Sequence, residues 1–196
     1  MSLILAISGP AAVGKTTICD RLITDFSGTI HRLVTATTRK PRASERDGVD
    51  YYFLDEVEFN EKLAHDSFLE HEIIHGNKYG ILKETLLDSN KDGQDILLNI
   101  DVNGASSLKQ FCHENRSLQD RVKTIFIKPK SLEDLRHRIQ SRGSESEEQI
   151  EIRLANAQKE ILRARDFDFV FVSGDRNSDY EKVKNFYLSS KSNIKL

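Results

Sequence analysis

"SGPAAVGKTT", residues Ser8 to Thr17, follows directly on the apolar run Leu3 to Ile7 and leads into a helical pattern of Ile18, Cys19, Leu22 and Ile23. Gly9, Gly14, Lys15 and Thr16 satisfy the spacing G-x-x-x-x-G-K-[ST], with a strand before it and a helix after it, which is the context this motif needs. Such a turn aims backbone N–H groups and a helix N-terminus at phosphate oxygens. The stretch Gly9, Pro10, Ala11, Ala12, Val13, Gly14, Lys15, Thr16 and Thr17 is therefore read as a nucleoside triphosphate site, with ATP the expected donor. Lys15 reaches the terminal phosphates, and the Thr16 hydroxyl is the expected Mg²⁺ ligand.

Working outward, four further aliphatic runs recur: Leu33 to Ala36, Ile96 to Ile100, Val122 to Ile127 and Phe167 to Val172. Helical patterns lie between most of them, including Ile150, Leu154, Ala157 and Ile161 before the last. Strands alternating with helices predict an α/β fold with a five-stranded parallel core sheet between helical layers. Gly48 to Leu82 interrupts the alternation. There "GVDYYFL", "FLEHEII" and "KYGI" read as short strands around a small helix from Glu56 to Ala64, predicting an inserted mixed or antiparallel lobe. Ser131 with Asp134 and Ser144 with Glu147 resemble capping boxes that open two charged helices, with Gly143 a stop between them.

Composition sets outer bounds. The 196 residues, 38% of them hydrophobic, suffice for one core. A formal net charge of -2 gives no global basic field for nucleic acid. No stretch approaches a membrane-spanning length, and the N-terminus lacks a signal-peptide pattern, so a cytoplasmic protein is expected, without nucleic-acid or membrane partners. Cys19 and Cys112 are too few for a disulfide framework and are expected as reduced thiols.

The second stretch that carries chemistry is "TTRKPRASERDGVDYY", Thr37 to Tyr52. Glu45, Asp47 and Asp50 offset Arg39, Lys40, Arg42 and Arg46 to a local charge of only +1, which argues against a nucleic-acid patch. The alternatives are a solvated turn or an anion clamp in which the forks of Arg39 and Arg42, around Pro41, grip a phosphate with the Tyr51 hydroxyl.

In sequence order, "TTRKPR" with Glu45, Gly48 and Tyr51, then "FLEHEIIHGNKYG", "LNIDVNGA" and "RIQSRGSESEEQIEIRLANAQ" resemble the signature segments of guanylate kinases, over roughly Ile4 to Asp175. The resemblance implies a three-layer P-loop kinase fold: a core of residues 1–34, 83–127 and 154–190, a GMP-binding lobe of 35–82 and a helical lid of 128–153. It implies direct in-line phosphoryl transfer from ATP to GMP, with Mg²⁺ as cofactor, dGMP as a related acceptor, and a monomer or homodimer. Arg39, Arg42, Tyr51 and Tyr79 match the residues that hold the GMP phosphate. Glu70 matches the acid that reads the base, since guanine presents two adjacent donors to a carboxylate and adenine does not. Thr35 and Asp101 match further residues near the base, and Glu45 the acid that steadies the arginine loop. Arg138, Arg142 and Arg153 match arginines that offset charge on the transferred phosphoryl group. Two other readings compete: a non-catalytic scaffold that binds phosphopeptides through the same clamp, and a P-loop kinase for another phosphorylated acceptor.

Four positions depart from the family pattern. Ala12 stands in place of a loop glycine, where a positive φ brings small strain. Ile81 replaces a hydroxyl that meets the base, Asn99 replaces the first acid of a D-x-D pair, and "VSGD" at Val172 to Asp175 replaces "VND" at the adenine edge.

Overall fold

The computed structural model describes residues 2–74, 76–89, 93–141 and 146–193. Five strands form a parallel sheet in the order β2-β7-β1-β8-β9: β1 (Ile4–Ser8), β2 (Ile30–Arg32), β7 (Asp95–Asn99), β8 (Val122–Lys128) and β9 (Phe169–Val172). Successive residues of β1 face opposite sides, as the period of a strand requires. Leu3, Leu5 and Ile7 pack with Ile18, Cys19 and Leu22 of α1 (Lys15–Asp25) and with Tyr180, Val183 and Tyr187 of α7 (Arg176–Asn193). Ile4 and Ala6 join the opposite core, with Ala105, Leu108 and Cys112 of α4 (Val102–Glu114). The result is the expected helix–sheet–helix layering. Both cysteines are free and buried, and burial pushes each thiol up to about 12.

A second sheet, order β4-β3-β6-β5, is built from β3 (Thr35–Thr37), β4 (Tyr51–Phe53), β5 (Phe68–Ile74) and β6 (Asn77–Leu82). It is mixed: β3 and β4 run parallel, while β6 is antiparallel to both β3 and β5. Helix α2 (Glu56–Ala64) covers it, opened by a capping box between Asp55 and Glu58, with Phe59 stacked on Phe68 at 4.3 Å. Helix α3 (Lys83–Ser89) returns the chain to the core. Helices α5 (Leu132–Gln140) and α6 (Glu147–Leu162) form a pair whose apolar seam of Leu135, Ile139, Ile150, Leu154 and Ala157 also receives Ala12. Helix α6 continues unbroken past residue 154. Among the described residues no helix is long and apolar enough to cross a membrane.

Three expectations are corrected. Leu33 to Ala36 is not a core strand: the core edge is β2, which ends as the Leu33 N–H reaches the Leu97 carbonyl at 3.2 Å, and Thr35 onward already belongs to the second sheet. Helix α6 starts from Ser146 rather than Ser144, because Ser146 and Gln149 complete both halves of a capping box; Gly143 and Ser144 lie outside the described residues. The last strand begins at Phe169, since Ala164–Asp166 form a 3₁₀ turn.

Asp95 ties the chain's two ends together. Its buried carboxylate accepts from the Leu3 N–H at 2.9 Å, the Tyr187 hydroxyl at 2.6 Å and Lys191 Nζ at 2.6 Å. Asp95→Ala strands these donors and is expected to lower unfolding free energy by about 3 kcal/mol, against about 1 kcal/mol for Tyr187→Phe. Urea unfolding measures both, and equal losses would refute the anchor.

Candidate active site

The turn from Ser8 to Thr17 leaves β1 at the middle of the parallel sheet, between β7 and β8. Gly9 adopts φ 142°, and a Cβ there would overlap the Ile127 carbonyl oxygen of β8, so only glycine lets the turn lie against the sheet. Ala12 takes φ 64°, so the strain that its place in the turn raised is present. The N-cap of α1 is Gly14, which brings no side chain to the helix terminus and leaves its first N–H groups for a ligand. Lys15 folds back so that its ammonium donates to the carbonyls of Gly9 and of Pro10, the latter at 3.0 Å. The Thr16 hydroxyl lies 3.5 Å from Asn99 Nδ2.

Two clefts open on this turn. One, of about 580 Å³, is lined by Ala12, Val13, Gly14 and Thr17, and by Arg138 and Ser173 across from them. Arg138 pairs with Asp134 at 2.9 Å and reaches the Ser173 hydroxyl at 3.3 Å. Ser173 in turn donates to Asp179 at 2.8 Å, which also accepts the Gly174 N–H at 2.9 Å. The "VSGD" departure thus forms a shaped wall. The other cleft, of about 420 Å³, brings Gly9 and Lys15 together with Glu70, Glu72, Asp101 and Glu160.

A third cleft, of about 630 Å³, lies along the second sheet and is lined by Thr35, Glu45, Tyr51, Glu70, Tyr79 and Ile81, among others. It shares Glu70, His71, Glu72 and Asn99 with the Lys15 cleft, so the two lie side by side. At its edge Arg39 grips Glu45 through both guanidinium nitrogens, at 3.0 and 2.8 Å, and Glu45 also accepts the Arg42 N–H at 2.7 Å. These bonds, Arg39 first, hold the Glu45 carboxyl below its usual range. The Arg39 guanidinium stands 5.4 Å from the Tyr51 ring centroid, and Tyr51 meets Tyr79 edge-on at 6.1 Å. The Arg42 side chain is exposed.

Asp101 caps α4 by accepting the Gly104 N–H at 2.7 Å, a structural duty its sequence position did not announce. Arg153 is half-buried on α6 and is not among the residues lining these clefts. Arg142 lies outside the described residues. Sequence reasoning also missed Arg136, which binds Glu147 and Glu151 and staples α5 to α6. The i to i+15 reach of that pair needs the hairpin to be known first.

Burial, then Asp101 and then Glu72 push Glu70 from its ordinary 4.5 up to about 8. Glu72 and Glu160 move the same way, with Lys15 opposing. The folded chain therefore keeps a proton on Glu70 that the unfolded chain releases near pH 4.5, so stability falls as pH rises from there to about 8. Glu70→Gln is expected to remove that decline, gaining at least about 1 kcal/mol over wild type at pH 8 relative to pH 5. Thermal midpoints across this range provide the measurement, and parallel curves would refute it.

A family model described as guanylate kinase matches residues 1–190. The chain is 42% identical over 180 residues to a guanylate kinase of Chlorobaculum tepidum, covering 92% of this chain and 89% of the relative. It is 38% identical over 192 residues to one of Clostridioides difficile, covering 98% and 90%. Among solved structures, the crystal structure of guanylate kinase from Anaplasma phagocytophilum superposes with a TM-score of 0.66 at 29% identity, covering 99% of this chain and 87% of that one.

Proposed function

The chain belongs to the guanylate kinase family and phosphorylates GMP to GDP with ATP, and we propose that its clefts divide the two substrates, ATP on the β1–α1 turn and GMP along the second sheet. The observation that carries this division is the shared wall: Glu70, His71, Glu72 and Asn99 border both the cleft of the second sheet and the cleft that holds Lys15. An acceptor phosphate in the first then faces a donor phosphate in the second, the arrangement in-line transfer requires.

In this reading the turn from Gly9 to Thr17 binds the triphosphate, and an arriving phosphate replaces the Gly9 and Pro10 carbonyls as partner of the Lys15 ammonium. Ala12 to Gly14, Arg138 and Ser173 enclose the rest of ATP. The acceptor phosphate docks on Arg39, Arg42, Tyr51 and Tyr79, with Glu45 holding Arg39 rigid, so little side-chain entropy is lost on binding. Glu70 accepts from the guanine N1–H and N2 amino group, with Thr35 and Asp101 beside it. Guanine presents two adjacent donors, so the proton that Glu70 holds in the free protein is released as the base binds, whereas adenine offers no such pair. Arg138, Arg142 and Arg153 complete the positive surroundings as the helical lid closes.

The Thr16 hydroxyl, a neutral oxygen in the first turn of α1, fits a magnesium ion that takes most of its ligands from phosphates and waters. Mg²⁺ bound with ATP would neutralise phosphate charge. The remaining work is positioning and charge stabilisation, and no side chain has to act as a strong base.

A coupled assay for ADP formation tests the reading. GMP is expected to exceed AMP, CMP and UMP in kcat/KM by about 100-fold or more. Lys15→Ala is expected to lower kcat by about 10²- to 10³-fold. A flat acceptor panel would overturn the assignment of the second cleft to GMP.

A further inference from the structure

Gly104 is the third residue of α4, buried, and outside the left-handed region in which glycine is needed. Within a helix a glycine costs about 1 kcal/mol relative to alanine. The backbone gives no reason for it, but the surrounding space does. A Cβ on Gly104 would overlap Glu70 Oε2 and Cδ and stand 3.0 Å from Oε1, so its three nearest atoms all belong to the Glu70 carboxyl group.

The slot has fixed walls. Asp101 holds the Gly104 N–H at 2.7 Å and so pins this turn of the helix. On the far side, a Cβ on Gly80 would come within 2.5 Å of Phe68 Cδ1 and 3.1 Å of the Glu70 carbonyl oxygen. The β5–β6 register shifts between Phe68 and Glu70, an irregularity that re-aims the strand just where the acid emerges. One glycine admits the Glu70 backbone, and the other admits its carboxylate.

We propose that Gly104 is a positioning residue for the acceptor: its missing side chain is the slot that holds the Glu70 carboxylate at the guanine edge. This rests on Glu70 reading the base. Because the group in the way is the end of a flexible side chain, a methyl at 104 displaces Glu70 without disrupting the fold, and a misplacement of about 1 Å is enough to cost large factors in recognition.

Gly104→Ala, Glu70→Gln, Glu70→Asp and the double variant Glu70→Asp with Gly104→Ala are compared for GMP KM, ATP KM and thermal midpoint. Gly104→Ala is expected to raise GMP KM about tenfold or more, leave ATP KM within about twofold, and keep or raise the midpoint. Aspartate is one methylene shorter and clears the methyl, so the double variant is expected to match Glu70→Asp alone rather than multiply its defect. An unchanged GMP KM in Gly104→Ala, a joint rise of both KM values with a lowered midpoint, or full multiplicativity in the double variant overturns the proposal. Glu70→Gln separates the two levels. If it leaves GMP KM unmoved, the base-reading role itself falls; if it raises GMP KM and Gly104→Ala does not, only the slot falls. Should Gly104→Ala fail to fold, Glu70→Ala with Gly104→Ala decides: recovered folding supports the slot, and continued failure overturns it.

Discussion

The close approach of the Gly9 backbone to the Ile127 carbonyl sets where the β1–α1 turn, and with it Lys15 and Thr16, stands. It lets the β1–α1 turn lie flat on the C-terminal edge of the sheet, between β7 and β8, where the order of strands reverses and ligands of such sheets bind. The turn retains the strain of Ala12 at φ 64°, yet the seam of α5 and α6 packs on that same residue. The helical pair therefore rests directly on the phosphate turn, and movement of one is mechanically felt by the other. Lys15, bonded to the turn's own carbonyls, keeps the turn closed until an anion competes for its ammonium.

The charges around that turn are arranged against the free protein's stability. Glu70, Glu72 and Glu160 are all lifted from their usual range, mainly by burial, with Asp101 adding to the repulsion and Lys15 relieving part of it for Glu72 and Glu160. Such a cluster is tolerated where function needs it and the remaining fold supplies the difference. Each substrate answers a different part of the imbalance. On the proposed assignment of the clefts, a guanine edge offers donors to Glu70, while a triphosphate brings more negative charge and is acceptable only with the N–H groups of the turn, Lys15 and a cation that travels with it.

Much of this was legible in the chain because local signals and tertiary roles coincide. Gly9 to Thr16 spells its own conformation, and the small helix expected from Glu56 to Ala64 appears with those bounds. The boundary near Leu33 is not legible because Leu33 and Ala36 are both buried, but in different hydrophobic clusters on either side of the break between β2 and β3, and burial alone does not say where one strand ends and the next begins. The cap of α6 was placed two residues early because Ser144 and Ser146 offer overlapping S-x-x-E/Q patterns, and only three-dimensional geometry chooses between them. Glu70 and Asp101 were found by resemblance rather than chemistry, since a lone carboxylate in a sequence carries no mark of its burial. Nothing in the sequence around Gly104 explains a glycine there, because the side chain it makes room for lies on another element.

Ile81 shows how one departure changes what its neighbours must do. It is 3% exposed and lies opposite Glu70 in the β5–β6 register. A hydroxyl there would have offered the base a second polar partner and left some hydration near the acid. An aliphatic side chain offers neither, and by excluding water it adds to the burial that lifts Glu70. On the proposed assignment, more of the discrimination between bases then falls to the Glu70 carboxyl, beside Thr35 and Asp101, and its worth depends on how firmly it is aimed. In a site with two readers, loose aim of one is tolerable. With Ile81 in place, the close backbone approach at Gly80 and the open slot at Gly104 serve recognition as well as packing on that same proposed assignment.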